Sequence, residues 1–430
     1  MEDKVSFRTI ILCFILLTVA LTLNLFLMPT RQPNAQTENV KSPNIPTINI
    51  ILQDATIEDF NSSTKKQIYG IDDLIVTTDN DTITYKNLTI KGHGNSTWYE
   101  NKKPFQINFS TKTDLLGLGK AKKFILLANA FDSSHIKNAT AYYIEKMLQQ
   151  DYALNGQFIN LYFNNEYYGL YFLTEKVELS KSRIALSDQS AILIEHEGLH
   201  ANTEPNCYKT RHSTCLVIKD INEDDLKQKA MANFLQKLVE LELAAERHDY
   251  AKIQEIADVD SFAKYYLISD FTLNPDAYMS SYFFYQDGAT DKIHVGPGWD
   301  FDLAFSYEPN QGVNYGINYF SPYHTGAKKI FSPDQDEDDI ISTAGESESL
   351  TMYYLIHTPE FQARVKELYN QYLYNNLDEL ITHINDIADV IDESAVENNS
   401  KWDSKDFFES LEAIKQWITE RYNYLDSYYK

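Results

Sequence analysis

Four carboxylates, Asp270, Asp276, Asp300 and Asp302, fall within one stretch, residues 270–305. Between them lies an aromatic run, Tyr282 to Tyr285, and then a turn-rich segment over 286–291. The pattern predicts strand, turn, strand, with acids at both ends. Such a hairpin returns the chain to where it began, so Asp276 and Asp300 become neighbours. Two acids converging at a hairpin mouth suit a hard cation such as magnesium. That ion takes one or two carboxylates and completes its shell with phosphate oxygens. The alternative is that the acids only form turns and cap helices. For Trp299-Asp300-Phe301-Asp302, placed after Gly296-Pro297-Gly298 in an apolar setting, the ligand reading stands ahead.

A cation of this kind needs a phosphate, and a candidate cradle lies upstream. Gly92, Gly94, Asn95 and Ser96 sit between two predicted strands. A loop of these residues brings backbone N–H groups close to an anion. Lys102 and Lys103 then lead into a strand, where period two sets Lys103, Phe105, Ile107 and Phe109 on one face. A lysine facing the core requires a carboxylate or a bound phosphate. The alternative is that Lys103 reaches solvent from the strand's start. Glu145, on a helix expected over 134–150, either pairs with a strand lysine or is a solvated surface acid.

The elements that must position these groups follow from the hydrophobic pattern. Strands are expected over 47–53, 75–90 (a hairpin about Asp79-Asn80-Asp81), 124–130, 158–163 and 167–173, the last two joined by Asn164-Asn165-Glu166. Asp132 and Ser133 are placed to cap the helix over 134–150. After a short strand at 191–194 the chain reads as mostly helical. Helices are expected over 224–246, 262–270, 360–374, 377–391 and 405–429. The acidic run at 334–339 reads as a solvated loop. The fold class is α+β.

The chain has 430 residues, 43% hydrophobic, with 30 Tyr and 23 Phe, enough to bury a sizeable core. Its formal charge of −24 argues against a general nucleic-acid binder and favours basic partners. Residues 9–30 carry no charged side chain and follow Lys4 and Arg8. This is long enough to cross a bilayer, with the N-terminus inside. An uncleaved signal anchor is expected over 1–30, with a proline-bearing linker over 31–46; a cleaved signal peptide with a site near Ala35 is the alternative. Either places the remainder outside the cytosol. Cys207 and Cys215 are then the exported cysteines, and an even pair there reads as a disulfide. Two free buried thiols, or a zinc site with His212, are the alternatives.

A β-rich lobe with a Gly loop and a lysine, one helix, a hairpin and then a helical lobe with two separated aspartates is the order of parts in a protein kinase. The HRD, DFG and APE signatures of ordinary protein kinases are absent. The motifs resemble instead the CotH kinase family, atypical secretory-type kinases named for a spore-coat protein. The matching runs are KGHGNSTW (91–98), KKPFQINF (102–109), FILLANAFDSSHIKN (124–138), INLYFNNEYYGLYFLTEKV (159–177), NPDAYMSSYFFY (274–285), GPGWDFDLAF (296–305) and SAVENNSKW (394–402). The resemblance covers nearly everything after Pro46. His93, Lys137, Asp270 and Ser281 depart from the residues common at their positions.

The resemblance implies an atypical kinase-like bilobal fold, with a β-rich N-lobe over 47–183 and a mainly helical C-lobe over 184–430. It implies Asp276 as the catalytic aspartate, Asp300 as the metal aspartate and Asp302 as an accessory ligand. Gly92, Gly94, Asn95, Ser96, Lys103 and Glu145 would hold the nucleotide. The implied cofactors are ATP and Mg²⁺, with Mn²⁺ as a substitute, and the acceptor is a Ser or Thr hydroxyl of an exported protein, basic ones being favoured. A membrane-anchored binding protein on the same fold, and a metal-dependent hydrolase, are the competing readings.

Overall fold

Alternating apolar residues build the first half of the chain into strands. They are β1 (Thr47–Leu52), β2 (Ile68–Thr77), β3 (Thr82–Tyr85), β4 (Leu88–Gly92), β5 (Phe105–Asp114), β6 (Lys120–Leu127), β7 (Gly156–Phe163) and β8 (Glu166–Glu175). The computed structural model describes residues 45–63, 66–198, 201, 204–305, 324–325, 329–330 and 349–430. The sheet runs β1-β7-β8-β6-β5-β4-β2-β3, and β1 also pairs with β2. That extra pairing closes the sheet into a ring with only β3 outside it. Closure removes the exposed edges an open sheet would carry. Inward residues such as Ile48, Leu74, Phe105, Phe124 and Leu161 form one apolar cluster, into which Phe60 packs from helix α1 (Ile57–Asn61). The expected hairpin about Asn164-Asn165 is present, with both residues at positive φ.

Helix α2 (Lys137–Met147) lies between β6 and β7 in sequence. It is shorter than expected at both ends. Asp132 accepts the Lys137 amide at 2.9 Å, so the chain turns through 133–136 before the helix starts.

The second half is less purely helical than expected. Strands β9 (Ile192–His196), β10 (Leu216–Ile221), β11 (Tyr282–Gln286) and β12 (His294–Val295) make a sheet in the order β10-β9-β11-β12. β11 and β12 are the expected hairpin, paired through Phe284↔Val295 and Tyr285↔His294. Around this sheet lie α3 (Lys227–Glu246), α4 (Tyr250–Ile256), α5 (Val259–Thr272), α6 (Thr351–Ile356), α7 (Pro359–Tyr372), α8 (Leu377–Lys401) and α9 (Phe407–Tyr429). α2 and these elements share a second apolar cluster, separate from the one inside the ring. α8 runs ten residues past its expected end. Asn398 and Asn399, weak helix formers, are held there by tertiary hydrogen bonds to Leu170, His135 and Ser133.

The described residues form one compact unit. Cys207 and Cys215 are bonded, with Cα atoms 4.8 Å apart, and tie the chain between β9 and β10. His212 binds no cysteine and instead lies 3.0 Å from Glu246. Among the described residues no helix is long and apolar enough to cross a membrane. The expected anchor over 9–30 and the acidic run over 334–339 lie outside the described residues.

Candidate active site

Asp276 is set by the end of α5. The helix stops at Leu273, which takes a left-handed conformation with φ +46. Asn274, buried just beyond, accepts the Asp276 amide at 3.2 Å and donates to the Asp300 carbonyl at 3.3 Å. One side chain therefore ties the backbones of both aspartates together. Met279 and Ser280 donate their amides to the Asp276 carbonyl, which fixes the turn.

Asp300 and Asp302 are set by α2. Gly298 donates its amide to Glu145 at 2.7 Å, and Phe301 donates to Asn138 at 2.9 Å. Asn138 and Glu145 are seven residues apart and so share one helix face. Lys137 adds a bond from its ammonium to the Asp302 carbonyl at 3.2 Å. Gly298 must be glycine, because a Cβ there would meet Glu145 at 2.7 Å and Phe301 at 2.6 Å.

Asp276, Asp300 and Asp302 line a single cavity of about 460 Å³. Their charges disfavour one another. Burial, then the Asp302 charge, pushes Asp276 up to about 6. Burial, then Asp302 and Asp276, holds the Asp300 carboxyl well above the usual range. Burial also raises Asp302, opposed by its hydrogen bond with Asp300 and by Lys137. Three acids that resist shared ionisation are a standing attraction for a cation. Among the described residues no group of three or more His, Cys, Asp or Glu stands ready as a complete ligand set. Asp300 and Asp302 offer two carboxylates, fewer ligands than an all-protein cage requires.

The loop from Gly92 through Ser96 lines the same cavity. Gly94 has φ +71, and a Cβ on it would meet Thr97 at 2.1 Å. The lysines differ from expectation. Lys103 does not line the cavity: β5 begins only at Phe105, and the Lys103 ammonium donates to the carbonyls of Trp98 (2.8 Å) and Glu100 (3.2 Å). Lys102 is buried against Leu170 and the Tyr171 ring. The lysines that reach the cavity are Lys66, Lys91 and Lys219. Burial, then repulsion from Lys91, lowers Lys66, which hydrogen-bonds Asn95 at 3.2 Å. Lys66 and Lys91 thus bring two positive charges to the wall that the loop also lines.

Glu145 also departs from expectation. It pairs with the Gly298 amide, not with a strand lysine, and lies wholly buried and outside the cavity lining. Burial raises it from 4.5 to about 7, against the pull of that amide. The folded chain therefore binds this proton where the unfolded chain has lost it. Stability contributed by the protonated acid is present below about pH 4.5 and falls as pH rises to about 7. Relative to Glu145→Gln, which keeps the acceptor for Gly298, the natural chain should lose on the order of 2–3 kcal/mol over that window and nothing more above it. Urea melts of both chains at pH 4.5, 6, 7 and 8 measure this; parallel curves overturn it.

Sequence reasoning missed the wall opposite the loop. Glu195 and Glu197, at the end of β9, and Lys219, on β10, line the cavity. Lys219 pairs with Glu195, and Glu197 accepts from Ser280 at 3.0 Å. Ser281 lines the cavity too, at φ +56. Asp270 lies apart, wholly buried and paired with Arg421.

No curated protein matches the chain. Residues 90–425 match the family model described as CotH kinase protein, a span that takes in the loop, α2 and all three cavity aspartates, so the chain belongs to the CotH kinase family.

Proposed function

We propose that the chain is an ATP-dependent protein kinase of extracytoplasmic proteins, acting on Ser or Thr hydroxyls with Mg²⁺ or Mn²⁺. One observation carries the reading: Asp276, Asp300, the Gly92–Ser96 loop and a lysine pair line the same cavity. The cluster inside the β-ring, and a second cluster that α2 and the outer faces of β7 and β8 share with the elements after 184, support a kinase-like bilobal arrangement with lobes over 47–183 and 184–430. The apolar segment over 9–30 supports a membrane anchor, and the net charge of −24 supports basic acceptor proteins.

Each residue has a separate task. Lys66 and Lys91 take the charge of the polyphosphate, helped by amides of the loop. Asp300 and Asp302 hold the cation, which when bound neutralises charge on the transferring group. Asp276, raised only to about 6, is ionised at pH 7 and receives the hydroxyl proton at a carboxylate oxygen. Positioning and electrostatics supply the rate, since little covalent chemistry is asked of the protein.

Nucleotide binding tests the reading. ATP with Mg²⁺ at about 100 times Kd should add about 2.7 kcal/mol of stability. Lys91→Ala should weaken ATP about tenfold or more, the loss of one charge-assisted contact. Lys103→Ala should lower the melting temperature and leave ATP affinity within about twofold, because its ammonium is spent on backbone carbonyls. A chain with no nucleotide-dependent shift is a binding module, and this reading fails. Hydrolysis of phosphoesters without transfer to protein would favour the hydrolase reading.

A further inference from the structure

α2 has a second working stripe. Ala139, Tyr142, Tyr143 and Lys146 recur at helical spacing, about a quarter turn round the helix from Asn138 and Glu145. They line another cavity, of about 360 Å³, that shares no wall residue with the first. Phe158 and Phe172, from β7 and β8, form its apolar side, and His383 and Ile387 of α8 close it. Tyr143 stacks on His383 at 3.6 Å, and Phe158 lies tilted against Phe172 at 4.9 Å. A cavity of this size and lining suits a small molecule of about two rings.

The rim adds a charge. Lys146 is exposed there and makes no ion pair among the described residues. The nearby carboxylates are already engaged: Glu175 binds Arg183 and Asn155, and Glu145 binds Gly298. Asp386 also reaches the rim, where its charge and that of Glu379, which accepts from the Tyr143 hydroxyl, act on His383 against the charge of Lys146.

We propose that this second cavity binds a small aromatic anion, its rings against Phe158 and Phe172 and its charge at Lys146, and that the occupant acts on the Gly296–Phe305 segment through α2. The link is one rigid element. The helix that walls this cavity also makes the bonds to Gly298, Phe301 and Asp302. A ligand that favours one setting of α2 must bias those bonds, by no more than its difference in affinity for the two settings. What that bias does to phosphoryl transfer rests on the proposed function; the binding and the structural link do not.

The probe is 1-anilinonaphthalene-8-sulfonate, with neutral N-phenyl-1-naphthylamine beside it, titrated into the full chain without nucleotide. One saturable sulfonate site is expected. Lys146→Met should weaken the sulfonate about tenfold and the neutral dye less than about twofold, since only the former loses an ionic contact. Val390→Trp, at an exposed rim position, should weaken both. Unchanged melting temperatures show that both variants fold. Saturating sulfonate should alter amide hydrogen exchange over residues 296–305. Absence of a saturable site, equal loss of both dyes in Lys146→Met, or indifference to Val390→Trp overturns the site. Binding with unchanged exchange over 296–305 overturns the link. No arm uses ATP, so failure here is distinct from failure of the kinase reading.

Discussion

Asp300→Asn should abolish phosphate transfer while making the protein harder to unfold. Transfer of label from ATP to a Ser- and Lys-rich acceptor should fall on the order of 10³-fold, the scale set by removing a group that acts on the transferring charge. The melting temperature at pH 8, without metal, should rise. Both follow from the same geometry. Asp300 hydrogen-bonds Asp302 and lines one cavity with it and Asp276, and burial with their charges holds its carboxyl well above the usual range. An uncharged asparagine removes that repulsion, so the folded state no longer resists ionisation there. On the proposed reading it also removes a charge that would hold the cation. Added Mg²⁺ should stabilise the natural chain and leave the variant nearly unmoved. Active sites commonly hold such destabilising groups, and loss of function with gain of stability is their signature. A variant that transfers label at an undiminished rate would remove Asp300 from the chemistry. A variant that melts lower would instead make Asp300 a structural residue.

The same cavity shows how far sequence carries. The hairpin from Tyr282 to Val295 was legible because an aromatic run, a turn and a second apolar run are local signals. It correctly brought Asp276 and Asp300 together. The Asn164-Asn165 turn was legible for the same reason: both residues tolerate the positive φ that the turn needs. Lys103 failed on a boundary. Extending the strand two residues too early turned a lysine that caps nearby carbonyls into one facing the site. Lys91 lies within the matching run KGHGNSTW with nothing there to mark a role for it, and Lys66 had no signal of its own, since their meeting depends on the pairing of β2 with β4, Ile68 opposite Lys91. Glu195 and Lys219 needed the pairing of β9 with β10, which spans the whole disulfide-closed segment. The ring closure rests on β1 running parallel to β7, more distant still. One missed feature did leave a trace. Asn138 and Glu145 are polar residues on one face of a largely apolar helix, and a buried polar stripe of that kind needs partners. The partners proved to be the backbone of Gly298 and Phe301 rather than a side chain.

Arg421→Met should destabilise the chain by about 3–5 kcal/mol, the range for removing one member of a buried ion pair. Arg421 on α9 and Asp270 on α5 have side chains that are 0% exposed. The guanidinium donates to the Asp270 carboxylate at 3.1 Å and to its carbonyl at 2.6 Å. Removing it takes away a cation that pairs with a buried carboxylate. The second change, Asp270→Asn in the Arg421→Met background, should recover a substantial part of the loss, because it removes the buried charge that Arg421 paired with; coupling of about 1–3 kcal/mol is expected for groups in contact. Additive losses would mean that the two act independently. The pair also bears on the site. Asp270 lies in the last turn of α5, and Asn274 and Asp276 follow that turn directly. Thr272 accepts the Phe305 amide at 2.8 Å, so the same turn holds the end of the segment that carries Asp300 and Asp302. α9 is thereby the clamp on the element from which the aspartates emerge. Where the single variant still folds, its activity at low temperature should fall through a lower kcat with KM for ATP little changed, because Lys91, on β4, and Lys66, just before β2, belong to the β-ring rather than to α5 or α9.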